Sequence, residues 1–224
     1  MALVPVPDII PIFPLPETVL LPGEVLPLHI FEPRYCEMVR DALGGHRIIG
    51  MVQILPGHEG EQPFNPPVRE VGCAGVIARH QELEDGRFLI WLLGVERFRI
   101  RHELPTLTRY RLVSIRHESS SRAGADESLT LKRLTLLASL TSLLDRRVED
   151  GDEAVNDLVR ELGKVDDEPL AAAAAQILGL SGEEKQRLLE ASGTEERFDL
   201  LRGELETALE RAEDALPFRP KLLH

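Results

Sequence analysis

Catalysis needs groups that attack, move protons or hold a metal, and this chain supplies them sparsely. Its only Gly-Lys step, Gly163-Lys164, is followed by Val165, where a phosphate-cradling loop needs Ser or Thr to reach magnesium. Gly179-Leu180-Ser181-Gly182 begins like a nucleophile elbow, but Glu183 stands where that motif needs its last glycine, and no strand pattern precedes the serine. Ser181-Gly182-Glu183-Glu184 has instead the S-x-x-E spacing of a helix capping box. Histidines at 29, 46, 58, 80, 102, 117 and 224 form no i, i+4 pair. Cys36 and Cys73 stand far apart and outside any C-x-x-C, so no metal site and no disulfide framework is indicated. No cofactor is implied, and the chain is expected not to be an enzyme.

What remains is chemistry of contact. Phe31, Tyr35 and Trp91 are the candidate binding residues, because aromatic side chains bury much area at small entropic cost. Arginines at 97, 99, 101, 109 and 111 make the one basic row. From 97 to 101 they alternate with Phe98 and Ile100, which in a strand puts charge on one face and apolar groups on the other, giving a half-exposed strand end. Glu96 and Arg97 are expected to form a partly buried ion pair.

These residues need a frame, and the pattern predicts one in two parts. From Val68 to Leu83 and from Arg87 to Leu104, β-branched and apolar residues dominate around Glu84-Asp85-Gly86, which predicts a long hairpin. Val25–Ile30, Arg47–Leu55 and Arg109–His117 are further strand candidates. Pro33 fits a first helical position, Tyr35, Met38, Val39, Ala42 and Leu43 recur at helical spacing, and Gly44 offers a left-handed stop. Pro56 to Pro67 reads as a surface loop. A small, polar linker at Glu118–Asp126 then separates this part from helices. Leu129–Leu144 is leucine-rich around most of its circumference and is expected at the centre of a bundle. Asp150-Gly151-Asp152 should end it, and the alanines of Leu170–Leu178 should allow close helix approach. Phe198, Leu201, Leu205, Ala208, Ala212 and Ala215 form a narrow seam for pairing within the chain, stopped by Pro217 and Pro220. The expected division is 1–118 β-rich, 126–216 helical and 217–224 tail, an α+β protein.

Composition bounds the function. With 43% hydrophobic and 29% charged residues the chain can bury a core. The net charge of −12 is uneven: residues 1–117 hold 12 basic against 14 acidic groups, and 118–224 hold 14 against 24. Such a surface weighs against phosphate backbones, so nucleic acid is an unexpected partner. The longest apolar run, Phe88–Val95, falls well short of the ~20 residues of a membrane helix, and the early prolines interrupt any signal-like stretch. No membrane association and a cytoplasmic location are expected.

Several segments resemble one family. Ile10-Pro11-Ile12-Phe13-Pro14-Leu15, Leu21-Pro22-Gly23, Leu26-Pro27-Leu28-His29-Ile30-Phe31-Glu32-Pro33-Arg34-Tyr35, Val71-Gly72-Cys73-Ala74 and Gly94-Val95-Glu96-Arg97-Phe98 are similar to the Lon N-terminal domain family, the substrate-binding region of ATP-dependent Lon proteases. Leu180–Glu190 and Arg197-Phe198 resemble its helical region, and the Leu28–Tyr35 variant is most like stand-alone Lon-domain proteins. The resemblance implies a twisted, PUA-like pseudo-barrel followed by a helical bundle, and a non-enzymatic module that binds unfolded or extended polypeptides. The groove would lie on the β-domain surface or where the halves meet. With 224 residues, no ATPase or protease domain is expected, so a separately encoded protease is a candidate partner. The alternative is an RNA-binding protein using the PUA-like β-domain; an undetected hydrolase ranks last.

Overall fold

The computed structural model describes residues 5–58, 65–118, 127–147 and 153–214. Glu118 apart, the proposed linker lies outside these residues, as do the middle of the 56–67 loop, the Asp150-Gly151-Asp152 stop, Ala215 and the tail from Pro217. Among the described residues, six strands and six helices form two compact units. One contains β1 (Ile9–Leu15), β2 (Val25–Ile30), α1 (Pro33–Gly44), β3 (Ile48–Gln53), β4 (Val71–Glu82), β5 (Phe88–Leu104) and β6 (Arg111–His117).

The predicted hairpin is present and organises this unit. Gly86, at φ 79°, takes the left-handed position that a three-residue loop requires. Its N–H donates to Leu83 O at 2.9 Å, while Leu83 N–H donates to Arg87 O at 2.8 Å. Beyond the turn, the 17 residues of β5 are long enough to serve three partners. It pairs with β4 through Phe88–Arg99, with β2 through Phe88–Leu93 and with β6 through Phe98–Leu104. The order β2-β5-β4-β3-β1-β6, with β6 returning to β5, closes five strands into a barrel and leaves β2 outside with one neighbour. All pairings are antiparallel except β1 with β3.

The register of β4 and β5 slips between Ala74 and Gly75, opposite Glu96 and Gly94, so β5 bulges at Val95. Gly94 is obligatory there: a Cβ would lie 2.2 Å from Leu21 O. The strand at Ile9–Leu15 is not evident from the sequence, since Pro11 and Pro14 argue against a paired strand. Ile10 and Ile12 are nevertheless fully buried, joining Ile48, Val52, Val76, Phe98, Val113 and Ile115 in the barrel core. Each such side chain contributes about 1.5–3 kcal/mol.

Helix α1 starts at Pro33 as predicted and buries Tyr35, Cys36, Met38, Val39 and Ala42. Its end differs from expectation. Gly44 is not left-handed; Arg47 is, at φ 62°, because its backbone is clasped from both sides. Arg47 N–H donates to Ala42 O, Arg47 O accepts from Ile77 N, and Arg47 Nε donates to Ile77 O.

The second unit contains α2 (Glu127–Arg147), α3 (Glu153–Leu162), α4 (Asp167–Leu178) and α6 (Thr194–Asp214). Helix α2 packs on α6 and α3, and α4 packs on α6 through its buried alanines. Leu136, Leu140 and Leu143 of α2 meet the seam expected on α6, where Phe198, Leu201 and Leu205 are buried. Among the described residues α2 packs mainly on these two helices, and Leu131 and Leu134 are exposed, which corrects the expectation of a helix covered around most of its circumference.

Helix α5 (Gly182–Glu190) departs from the expected grouping. Its capping box forms as predicted, Ser181 N–H donating to Glu184 Oε2 at 2.7 Å and Glu184 N–H to Ser181 Oγ at 3.3 Å. Yet it belongs to the β unit, not to the helices on either side of it in sequence. Gln186 Nε2 donates to Val71 O at 3.0 Å, Lys185 reaches the buried Glu24 at 2.6 Å and Arg69 pairs with Glu183 at 2.6 Å.

Candidate functional site

The structure separates the three aromatic candidates. Tyr35 points inward from the first turn of α1, its ring centroid 4.3 Å from that of Phe13, and only 5% of the residue is exposed. Burial pushes its hydroxyl pKa up, and Arg34 lies 4.4 Å from the ring centroid. It is a core residue in this conformation. Phe31, four residues earlier, is 63% exposed beside the ring of His29. Trp91 is half-buried in β5, with the Arg79 guanidinium 4.9 Å from its ring centroid.

Register explains what Phe31 and Trp91 share. In an antiparallel ladder, residues directly opposite project to the same face. Val25 faces Leu93, Pro27 faces Trp91 and His29 faces Leu89. Phe31 continues the alternation of β2 one step beyond Ile30. One face of the β2–β5 ribbon therefore carries Val25, Pro27, His29, Phe31, Leu89, Trp91 and Leu93; Val25 is 49% exposed, while Leu93 packs against the barrel core. The other face carries the buried Ile30, Phe88, Ile90 and Leu92. Tyr35 takes no part in the exposed row. Val25, Pro27 and Leu89 are the members that sequence reasoning missed. Their signal was the odd-numbered alternation of 25, 27, 29 and 31, hidden because the even positions are equally apolar.

Partners absorb much of the basic row. Arg97 is not on a half-exposed face: 5% of it is accessible, and its Nη1 donates to Leu189 O and Ala191 O, both at 2.9 Å. Docking of α5 over this part of β5 is the reason. The Glu96 carboxylate meets His117 Nδ1 at 3.2 Å, where an ion pair with Arg97 was expected. Arg99 pairs with Glu70 and Glu118, Arg111 with Glu103, and Arg109 with Glu37. Arg101 is exposed. Such pairing leaves a weak field for phosphate.

Beside Phe31, a cleft of about 440 Å³ opens between α1 and the β4–β5 turn, lined in part by Pro33, Cys36, Arg40 and Arg87. Arg40 donates to Gly86 O at 2.9 Å and Arg87 pairs with Asp85 at 2.6 Å, so these charges are engaged. Burial pushes the Cys36 thiol pKa up, away from the thiolate that attacks or binds metal. Among the described residues no group of three or more His, Cys, Asp or Glu is placed to hold a metal ion. No helix of the described residues is long and apolar enough to cross a membrane. The exposed apolar row thus lies along β2, a strand paired on one side with β5.

Comparison with known proteins agrees with this architecture. Residues 9–207 match the ATP-dependent protease La (LON) substrate-binding domain. Lon protease of Flavobacterium johnsoniae is 28% identical over 192 residues, covering 85% of this chain and 23% of that protein. Lon protease of Dictyoglomus thermophilum is 29% identical over 196 residues, covering 86% and 24%. The chain thus spans about a quarter of the length of these relatives. The N-terminal domain of Mycobacterium avium complex Lon protease superposes with a TM-score of 0.66 at 16% identity, covering 93% of this chain and all of that one. A Lon N-terminal domain protein from Xanthomonas campestris gives 0.58 at 22% identity, covering 93% and 99%. The α+β fold is that of Lon N-terminal domains, and the chain belongs to the LON substrate-binding domain family.

Proposed function

We propose that this chain is a non-catalytic polypeptide-binding module that captures exposed apolar segments of unfolded or extended proteins on the Val25–Pro27–Phe31–Trp91 face. One observation carries the reading: Val25 and Phe31 stand open at the two ends of an apolar row along β2, a strand with one neighbour among the described residues. The aromatic pair supplies anchors, and Arg79 over Trp91 holds the indole in place for contact. Delivery of captured clients to a separately encoded protease, in the cytoplasm, is the role this proposal assigns.

The test is titration with a permanently unfolded probe, reduced and carboxymethylated lactalbumin, followed by fluorescence anisotropy. A Phe31→Ser, Trp91→Ala variant that retains its circular dichroism spectrum should bind ~tenfold or more weakly, the cost of losing a hot-spot residue. Binding equal to that of the unsubstituted chain would refute this placement. Added RNA should not compete.

A further inference from the structure

The backbone of β2 specifies how a client would be held, and this inference rests on the polypeptide-binding reading above. In an antiparallel ladder, alternate residues exchange hydrogen bonds with the neighbour and the residues between them direct N–H and C=O away. Gly94 N–H donates to Glu24 O at 2.9 Å, which fixes the parity: Leu26, Leu28 and Ile30 bond to β5, and Val25, Pro27 and His29 turn their backbone groups outward. Pro27, which has no N–H to give, sits at an outward position, where a proline costs the ladder nothing. Among the described residues, no backbone or side-chain partner meets these outward groups. They offer two N–H donors, from Val25 and His29, and three carbonyls. The same three residues carry side chains on the exposed apolar face.

We infer that β2 binds an extended, apolar polypeptide segment as an added antiparallel strand, paired to the backbone of Val25, Pro27 and His29 with its apolar side chains on the Phe31–Trp91 face. A row of alternating donors and acceptors along a strand is matched by another strand and by no compact ligand. Antiparallel addition is the arrangement β2 already makes with β5 and the more stable per residue. It also sets a rule for the client. Residues directly opposite Val25, Pro27 and His29 both bond to β2 and face the apolar row, so one set of client residues performs both tasks.

The test uses the whole chain and a short synthetic peptide of alternating valine and threonine in three forms: unmodified, N-methylated at the valines and N-methylated at the threonines. Valine methylation should weaken binding by ~tenfold or more while threonine methylation leaves it unchanged. In hydrogen exchange, the amides of Val25 and His29 should exchange fast in the free chain and slowly with peptide, while Leu26 and Leu28 stay protected in both. Equal binding of all three peptides, or loss on threonine methylation, overturns strand addition even if the unfolded lactalbumin still binds. A β2-to-β2 dimer in sedimentation that peptide cannot dissolve also overturns it. Failure of both the peptide and the lactalbumin removes the underlying polypeptide-binding reading as well.

Discussion

The two halves of β5 meet opposite fates. From Arg97 to Leu104 the strand is built in: β6 closes the barrel on it, Arg97 donates to the carbonyls of Leu189 and Ala191, Arg99 pairs with Glu70 and Glu118, and Glu103 pairs with Arg111. From Phe88 to Leu93 the same strand meets β2, which has no second strand beside it among the described residues, and Val25 and Phe31 there are exposed. Gly94 marks the change. The contrast teaches that charge here serves construction, while the proposed contact with other chains rests on apolar groups.

Substitutions should respect this division. In the built-in half, Arg97→Ala removes buried bonds to two carbonyls and leaves a void, so chemical denaturation should report a loss of about 4 kcal/mol. A loss under about 1 kcal/mol would show that the guanidinium is not structural. At the junction, Gly94→Ala drives a methyl group against Leu21 O and should cost about 3 kcal/mol by the same measurement. In the open half, Trp91→Ala should cost less, about 2 kcal/mol, since the ring is half-buried and not enclosed. A loss as large as that of Arg97→Ala would erase the distinction between the halves.

The smallest effect is pH-dependent and again lies on the built-in side. Burial alone would lower the His117 pKa, but hydrogen bonds with Glu96 and Asp8 outweigh it and the value is raised. A raised histidine stabilises the fold when protonated. That contribution is full below the unfolded value of about 6.5 and disappears as pH rises through the higher folded value. The stability gap between the unsubstituted chain and His117→Ala should therefore be wider at about pH 5.5 than at about pH 8.5. An unchanged gap would mean the two carboxylates do not hold the proton.

What the sequence revealed was local. The Glu84-Asp85-Gly86 turn, the Pro33 helix start and the Ser181 capping box each depend on a few neighbouring residues, and each forms as read. Long-range facts were hidden. Nothing near Arg97 announces that carbonyls of residues 189 and 191 will cover it. Phe31 and Tyr35 look equivalent as aromatic residues, and only the turn of the chain into α1 sends one to Phe13 and leaves the other outside. In β1, the prolines obscured a strand that tertiary pairing imposes. The outward parity of β2 needed the register against β5, which no single-strand pattern contains.

The path of α5 has a consequence for dissection of the molecule. After β6 the polypeptide builds α2 to α4, comes back to supply the barrel with α5, and departs again for α6. No single scissile point can therefore release an intact barrel: a fragment ending at residue 118 would keep every strand yet forfeit the segment that Arg97, Val71 and Glu24 grip. Such threading ties the barrel to a segment far from it in the chain, so a fragment cut before α2 would leave those gripping groups without their partners.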